Sequence, residues 1–332
     1  MCWPSADPQP FGVAHLDPAS YRRHPIHGED RAWSETNCYT DLIVEMVHAL
    51  GFDPVAMLPC TLAIDFEGDQ WTFFKPPPSE LYDLYGFDIQ ELAIVRPLAE
   101  HVAEQIDAGR AVLVEVDSWH LPDTAGTAYR VAHVKTTIGV NRIDVAGERM
   151  QYFHNAGFFA VEGEDFRKLL RIGEPTGTAI LPPYVEFVKW RRDFVPPTGA
   201  ALLGRSLEIA RRHVGRIPQS NPFTRFRERF AHDFERLQRC EACFDEYAFA
   251  NLRQFGACYE LAATWLRWLC AQGIASVAGA ADNLQSIAEG AKAFQFQLAR
   301  AVARSKPIDP APLAAMEAQW ESALEPLRKR LA

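Results

Sequence analysis

The pattern of apolar residues changes at Pro196-Pro197-Thr198-Gly199, and this boundary constrains the fold more than any other feature of the sequence. Before it, short apolar runs of strand length alternate with short helical patterns. After it, apolar residues recur at helical spacing in every long segment, over residues 203–214, 223–237, 252–269, 280–302 and 313–331. We therefore predict two domains, a mixed α/β (α+β) domain over residues 1–195 and an α-helical bundle or cap domain over residues 200–332.

The composition of the whole chain excludes several classes of protein. A chain of 332 residues has room for two domains, each with its own core. Its net charge of -9 disfavours nucleic-acid binding, which needs a basic surface. No apolar run approaches the length of a membrane span, and the first residues lack the basic and apolar regions of a secretory signal. We expect a cytoplasmic protein without nucleic-acid or membrane partners.

The cysteines indicate a reduced protein. Seven cysteines without regular spacing fit a reducing cytoplasm better than a disulfide framework. Cys240 and Cys243 form a lone C-x-x-C, with no second pair and no histidines at a ligand spacing, so we predict no zinc site there.

Cys38 stands at the predicted start of an amphipathic helix. The apolar residues that follow it recur at helical spacing, and Gly51 is the expected helix end. Thr36 or Asn37 is a suitable N-cap. A helix N-terminus favours the thiolate, which is the nucleophilic form of cysteine. The alternative is that Cys38 is only a small buried apolar residue.

Several extended runs suggest a sheet. Residues 111–117 are almost all apolar and β-branched, as in a buried central strand. Residues 133–140 and 149–155 are predicted to form a hairpin. Residues 58–64 and 184–190 are two further predicted strands.

The hairpin would bring a base and its orienting group together. A cysteine nucleophile needs a base, usually imidazole, and the base needs a third group to orient it. In an antiparallel hairpin the start of one strand lies beside the end of the next, so we expect His133 beside Asn155. The predicted catalytic set is therefore Cys38, His133 and Asn155. Asp144 is a second candidate for the third member, and His154 should face the other side of the sheet as a structural residue.

Two other sets of polar residues could either bind a ligand or simply be part of a loop or turn. The loop after residue 117 and the next strand carry possible mixed N/O metal ligands, but they lack the i, i+4 spacing of a helical site, so no metal is predicted. These ligands are Asp117, His120, Asp123 and His133. Asp65, Glu67 and Asp69 are a charged turn or, alternatively, contacts for a substrate amine.

Several segments of the chain resemble conserved blocks of the DUF1839 family. The first block is residues 33–41 (WSETNCYTD), and the second is residues 65–75 (DFEGDQWTFFK). Later blocks are residues 121–124 (LPDT), 133–138 (HVKTTI), 152–157 (YFHNAG) and 251–256 (NLRQFG). The layout is similar to that of BtrH-like acyltransferases of butirosin biosynthesis and, more distantly, to C39-type cysteine peptidases.

This resemblance implies a papain-like fold and an acyl-enzyme mechanism. Cys38 would be the nucleophile and His133 the base, with Asn155 in the place where C39-type enzymes carry Asp. The acyl donor would be a thioester on the phosphopantetheine arm of a carrier protein, and the acceptor would be an amine. The enzyme would need no cofactor of its own.

The resemblance is incomplete at the oxyanion hole. Papain-like peptidases carry a Gln shortly before the nucleophile, and this chain does not. The Cys38 backbone N–H would then act together with Asn37 or Gln70. Asp117 and Asp123 complete the candidate substrate-binding or oxyanion residues.

The expected function is therefore cysteine-dependent acyl or aminoacyl transfer from a carrier-protein thioester to an amine. A papain-like cysteine hydrolase or peptidase is the first alternative, since the same residues serve when water is the acceptor. A non-catalytic binding protein on the same fold is the second.

Overall fold

The computed structural model describes residues 16–174, 181–191 and 193–331. The predicted irregular arm over residues 1–33 lies partly outside the described residues. The chain divides into two compact units. The sheet unit comprises Met1–Pro25, Asn37–Asp53 and Leu81–Pro196, and the helical unit comprises Ile26–Thr36, Pro54–Glu80 and Pro197–Ala332. Two segments that precede Pro196 in sequence thus belong to the helical unit.

The chain is a mixed α/β protein, as its sequence pattern predicts. The strands are β1 (Phe87–Glu91), β2 (Ala111–Asp117), β3 (Lys135–Asp144), β4 (Arg149–His154), β5 (Gly157–Glu162) and β6 (Val185–Trp190). The helices before residue 196 are α1 (Cys38–Ala49), α2 (Pro78–Tyr85), α3 (Leu98–Asp107) and α4 (Gly163–Leu169). Those after it are α5 (Gly199–Val214), α6 (Pro222–Arg239), α7 (Phe244–Ala248), α8 (Gln254–Ala271), α9 (Ala278–Ala303) and α10 (Ala311–Leu331).

One antiparallel sheet of six strands organises the sheet unit. Its strand order is β1-β6-β2-β3-β4-β5. The prediction of a buried strand over residues 111–117 is confirmed, because β2 has these bounds and lies inside the sheet between β3 and β6. Nearly all of its side chains are buried on both faces of the sheet, and its run of apolar residues allows this.

The two faces of this sheet are covered differently. Val112, Val114 and Val116 of β2 face a core that also contains residues of α3 and α4. Because successive side chains of a strand alternate in direction, Leu113 points to the opposite face. Helix α1 packs on that face: a Cβ placed on Gly139 would lie 3.3 Å from Met46 Sδ and 3.4 Å from Leu113 Cδ2.

Some predicted elements were wrong or missing. Residues Pro54–Ala63 form a 3-10 helix that includes Pro59, not a strand over 58–64. A proline has no N–H for a strand ladder, and this one lies inside the apolar run. The strand expected from His133 begins at Lys135. Strands β1 and β5 were not predicted, and Gly157 opens β5 instead of closing β4.

The helical unit has an aromatic core. Trp71 is 1% exposed and packs against rings from α6 and α8, with centroids 4.9 Å from Phe223 and 4.9 Å from Phe255. In the described ranges, no helix combines the length and the apolar character needed to cross a membrane.

Candidate active site

Cys38 is the first residue of α1 and is partly exposed. The helix begins there because Asn37 caps it: Asn37 Oδ1 accepts the Thr40 backbone N–H at 2.9 Å. Asn37 has extended backbone angles, as an N-cap residue should. The sulfur therefore belongs to a residue in the first helical turn, where unpaired backbone N–H groups favour negative charge.

His133 has a carboxylate partner in the sheet unit. Its Nδ1 lies 2.6 Å from Asp117 Oδ2, so the ring N–H donates to the carboxylate. The Trp119 indole stacks on the imidazole with centroids 4.5 Å apart and planes 11° from parallel. Asp117 Oδ1 also accepts the Trp119 backbone N–H at 3.0 Å. Asp117 thus holds the Nδ1 edge of the imidazole and Trp119 covers one face of the ring. The Nε2 atom lies on the other edge and can make other contacts.

The Asp117 carboxylate is kept ionised by these contacts. Partial burial raises its pKa, but the hydrogen bonds from His133 and from the Trp119 backbone lower it, and the net shift is downwards. A carboxylate in this state orients an imidazole and stabilises its protonated form.

Cys38 and the Asp117–His133 pair belong to the same face of the sheet. Asp117 follows Leu113 by an even number of residues in β2, so both side chains point to the face that α1 covers. The other face holds Val116 and the α3 core. The helix that begins at Cys38, the His133 imidazole and its carboxylate partner Asp117 therefore share one side of the sheet unit.

The structure gives His133 a different hydrogen-bond partner from the Asn155 that the hairpin predicted. The register pairs Gly139 with Phe153, and His154 with Gly157 across the next turn. Asn155 lies in that tight turn with a φ of 44°, a left-handed conformation that Asn tolerates better than most residues. Among the described residues, the imidazole of His133 is hydrogen-bonded to Asp117, and Asn155 makes no such bond. A catalytic role for Asn155 stays a prediction.

Asp123 is hydrogen-bonded to side chains on the sheet face opposite α1. Its Oδ2 lies 2.6 Å from His154 Nδ1, and its Oδ1 accepts the Tyr152 hydroxyl at 2.5 Å. His154 Nε2 lies 2.8 Å from Thr136 Oγ1, and the ring is 1% exposed. Burial, and then the Asp123 charge, raise the pKa of the Tyr152 hydroxyl. This closed network agrees with the expectation that His154 faces away from His133.

Negative charge collects beside the start of α1. The Tyr39 hydroxyl donates to Glu186 Oε2 at 3.0 Å, and the Tyr184 hydroxyl donates to Glu186 Oε1 at 3.0 Å. Glu91 of β1 is directly opposite Glu186 in the register. Burial, followed by the charges of Glu186, Glu91 and Glu115, raises the pKa of Tyr184 to about 12. Lys135 Nζ already pairs with Glu115 at 2.6 Å, so the opposed Glu186 and Glu91 are the carboxylates that suit a further cationic group.

The remaining predicted residues have other surroundings. Gln70 is an exposed residue of the helical unit, in the turn before Trp71. Asp144 is bonded to Gly147 N and to the Arg149 guanidinium in its own turn. In the described part of the chain, no group of three His, Cys, Asp or Glu side chains is arranged to hold a metal ion.

The cysteines are not all reduced, contrary to the prediction. Cys240 and Cys243 form a disulfide across the end of α6, with Cα atoms 5.5 Å apart. Burial raises the pKa of Cys258, which is fully enclosed. This makes Cys258 a poor candidate for chemistry beside the partly exposed Cys38.

A cavity of about 750 Å³ lies elsewhere in the sheet unit. It is lined by the segment before α3 and the end of α4, including Ile94, Leu98, Leu170 and Ile172. Leu98 and Leu170 belong to the core on the face opposite α1. The cavity contains none of the predicted site residues, so we assign it no part in their chemistry.

Within the helical unit, side chains of α8 and α9 fix the segment that leads to Cys38. Glu260 accepts the backbone N–H groups of Ala32 at 3.0 Å and Trp33 at 2.8 Å. The Trp33 indole N–H donates to the Ala288 carbonyl at 3.0 Å. Gly256 lets this ring approach, because a Cβ there would lie 2.7 Å from Trp33 Cζ2. Sequence reasoning missed these anchors, although residues 33–41 and 251–256 both stood out as motifs.

Both halves of the chain match descriptions of known protein families. Residues 22–190 match the DUF1839 N-terminal domain, and residues 199–329 match the DUF1839 C-terminal domain. The chain belongs to the DUF1839 family. No curated protein matches it. Membership covers most of the chain and places Cys38, His133 and Asp117 in the N-terminal domain of the family.

Proposed function

We propose that this DUF1839 protein is a cysteine-dependent acyl or aminoacyl transferase on a papain-like fold. The observation that carries the proposal is the Asp117–His133 pair on the sheet face against which the Cys38 helix packs. Such an arrangement supplies a nucleophile candidate, a base and an orienting carboxylate from one unit of the fold. Asp117 takes the third role that the sequence assigned to Asn155.

The first step transfers the acyl group to the enzyme. Cys38 passes its proton to His133 Nε2, and its sulfur attacks the thioester carbonyl of the donor. A new bond forms between the carbonyl carbon and Cys38 Sγ, and the bond to the pantetheine sulfur breaks. The leaving thiolate takes the proton from His133. The exchange of one thioester for another is nearly balanced in energy.

The second step transfers the acyl group to an amine. The amine nitrogen attacks the acyl-Cys38 carbonyl, an amide bond forms, and the bond to Cys38 Sγ breaks. A proton from the amine returns to Cys38 through His133. The opposed carboxylates of Glu186 and Glu91 support a cationic acceptor, since amines are protonated at neutral pH. The ammonium group of the acceptor gives one proton to solvent before its nitrogen attacks.

The donor thioester on a carrier protein follows from the likeness to BtrH-like acyltransferases. The oxyanion hole requires the Cys38 backbone N–H and a second donor. Asn37 uses its Oδ1 as the helix cap, where it accepts the Thr40 backbone N–H, so the cap role leaves its Oδ1 unable to donate. Gln70 and Asp123 are not needed in this scheme.

The test measures product with the full chain, an acyl-pantetheine thioester and a panel of amines. We expect an amide product in wild type, and a loss of about 10²- to 10⁴-fold in rate for His133→Ala, the range for a general base. His232→Ala is the matched control, because His232 is an exposed histidine of α6 outside the site. Free acid as the sole product would favour a hydrolase, and equal rates in the two histidine variants would remove His133 from the mechanism.

A further inference from the structure

The disulfide of the helical unit lies at a junction between two helices. Cys240 follows Arg239, the last residue of α6, and Cys243 precedes Phe244, the first residue of α7. Both cysteines are partly exposed. Exposed disulfides are the labile ones in proteins, because a thiolate from solvent reaches their sulfurs without unfolding of the chain.

This disulfide closes a very short loop. Its two cysteines are only three positions apart in the chain. A disulfide stabilises a fold mainly by constraining the unfolded chain, and the gain grows with the length of the loop. The described part of the chain keeps four other cysteines as free thiols, namely Cys38, Cys60, Cys258 and Cys270. A single disulfide across so short a loop fits a chemical role better than a structural one.

The backbone holds the two cysteines together independently of the bond between their sulfurs. The Cys243 N–H donates to the Cys240 carbonyl at 3.0 Å across the 3-10 turn Glu241–Cys243. The Cα atoms are 5.5 Å apart, within the range that a disulfide requires. The Cys240 N–H donates to the Arg236 and Leu237 carbonyls, both at 3.1 Å, which fixes the turn to the end of α6. Reduction therefore leaves two thiols placed for the bond to form again.

The helices on both sides are anchored by packing that does not involve the disulfide. Leu237 in the last turn of α6 and Tyr247 of α7 are buried. Earlier in α6, Phe230 packs against Phe294 of α9, with ring centroids 5.3 Å apart. The reduced chain should keep this packing, and a reversible redox couple needs a fold that persists in both states.

We propose that Cys240 and Cys243 are a redox-active pair that exchanges with dithiols. A thiolate of the dithiol attacks one sulfur, a mixed disulfide forms, and the other cysteine leaves as a thiolate and takes up a proton. The second thiol of the reductant loses its proton and attacks the mixed disulfide. This releases the second cysteine, which is protonated, and leaves the reductant as a disulfide. Two electrons and two protons pass to the pair, and the exchange does not rest on acyl transfer at Cys38.

The test is differential thiol labelling of the full chain, followed by peptide mapping. Free thiols are blocked with N-ethylmaleimide, the folded chain is treated with dithiothreitol, and the new thiols are labelled with a heavier maleimide. We expect two new labels, on Cys240 and Cys243, at a rate within about tenfold of the rate in urea, because no opening of the fold is needed. Oxidised glutathione added before the second label should restore the disulfide.

Two variants follow the exchange itself. Cys240→Ser and Cys243→Ser each leave one thiol of the pair, so each should hold one glutathione as a mixed disulfide after treatment with oxidised glutathione. The wild-type pair should hold none, because its second thiol displaces the glutathione. Cys270→Ser is the matched control, since it removes a partly exposed free cysteine of α8 and should leave the exchange unchanged.

Three results would overturn the proposal. The first is reduction of the folded chain about 100-fold or more slower than reduction in urea, which would make the disulfide a structural one. The second is a pair of thiols that stays reduced in oxidised glutathione. The third is glutathione retained on wild type as on the single variants. Rapid reduction, restored by oxidised glutathione and lost in both single variants, supports the proposal.

Discussion

Glu260→Gln should release the segment that leads to Cys38. Glu260 is 2% exposed, and its two oxygens accept one backbone N–H each, from Ala32 and Trp33. Glutamine keeps one acceptor oxygen and turns an NH₂ group toward the other N–H. A hydrogen bond to a charged group contributes about 1.5–3 kcal/mol. The variant also removes the carboxylate 3.5 Å from Arg31 Nε, a largely buried cation whose pKa is lowered chiefly by burial and partly restored by Glu260.

Together these losses predict that the local opening free energy falls by about 2–3 kcal/mol. The amides of Ala32 and Trp33 should then exchange hydrogen about 30- to 150-fold faster, because each 1.4 kcal/mol is a factor of ten. Hydrogen–deuterium exchange of the peptide that contains these residues measures the effect. Glu208→Gln is the control, since this exposed carboxylate accepts a hydrogen bond from Arg205 on its own helix α5. Unchanged exchange in Glu260→Gln, or the same acceleration in both variants, would refute the reasoning.

Two further predictions concern packing and pH. Gly256→Ala should lower the free energy of unfolding by about 1–3 kcal/mol, because the added methyl group is overpacked against Trp33. Gly204→Ala has open space around the new Cβ and should stabilise α5 by up to about 1 kcal/mol. Urea denaturation measures both variants, and a Gly256→Ala protein that is more stable than wild type would contradict the packing. The pKa of Asp117 is depressed below its ordinary 3.8, so its ionised bond to His133 should be fully present above pH 3.8 and be lost only as the pH falls through the lower folded value. NMR of the His133 ring follows this bond, and its loss well above pH 3.8 would contradict the assignment.

The parts of the fold that were predictable are those with strong local signals. Strand β2 is a continuous buried run, and α1 has a cap, an apolar face and a terminal glycine, so both were found at the right places. The apolar run at 58–64 failed because periodicity cannot separate a short buried strand from a buried 3-10 helix, and Pro59 was the neglected signal. Strand β1 has a mixed pattern of burial at the edge of the sheet, which leaves little alternation to detect.

The candidate site was partly predictable for the same reason. Cys38 and His133 stand out by residue type and position, but the partner of His133 depends on register. The observed register pairs Gly139 with Phe153, whereas a contact of His133 with Asn155 needs a different register, and the hydrogen bond of His133 goes to Asp117 of the neighbouring strand. The alternation of side chains along β2 could have indicated Asp117 as a partner of His133, since Asp117 points to the same face of the sheet as Leu113. The anchor from Glu260 to Trp33 joins residues 227 positions apart, and no local pattern reveals such a contact.

The most direct test of the account is intact mass spectrometry of the full chain after incubation with an acyl-pantetheine thioester, followed by peptide mapping. We predict a mass gain of one acyl group in wild type that maps to the peptide containing Cys38 and is absent from Cys38→Ala. A gain that persists in Cys38→Ala, or that maps to another cysteine such as Cys270, would contradict the account.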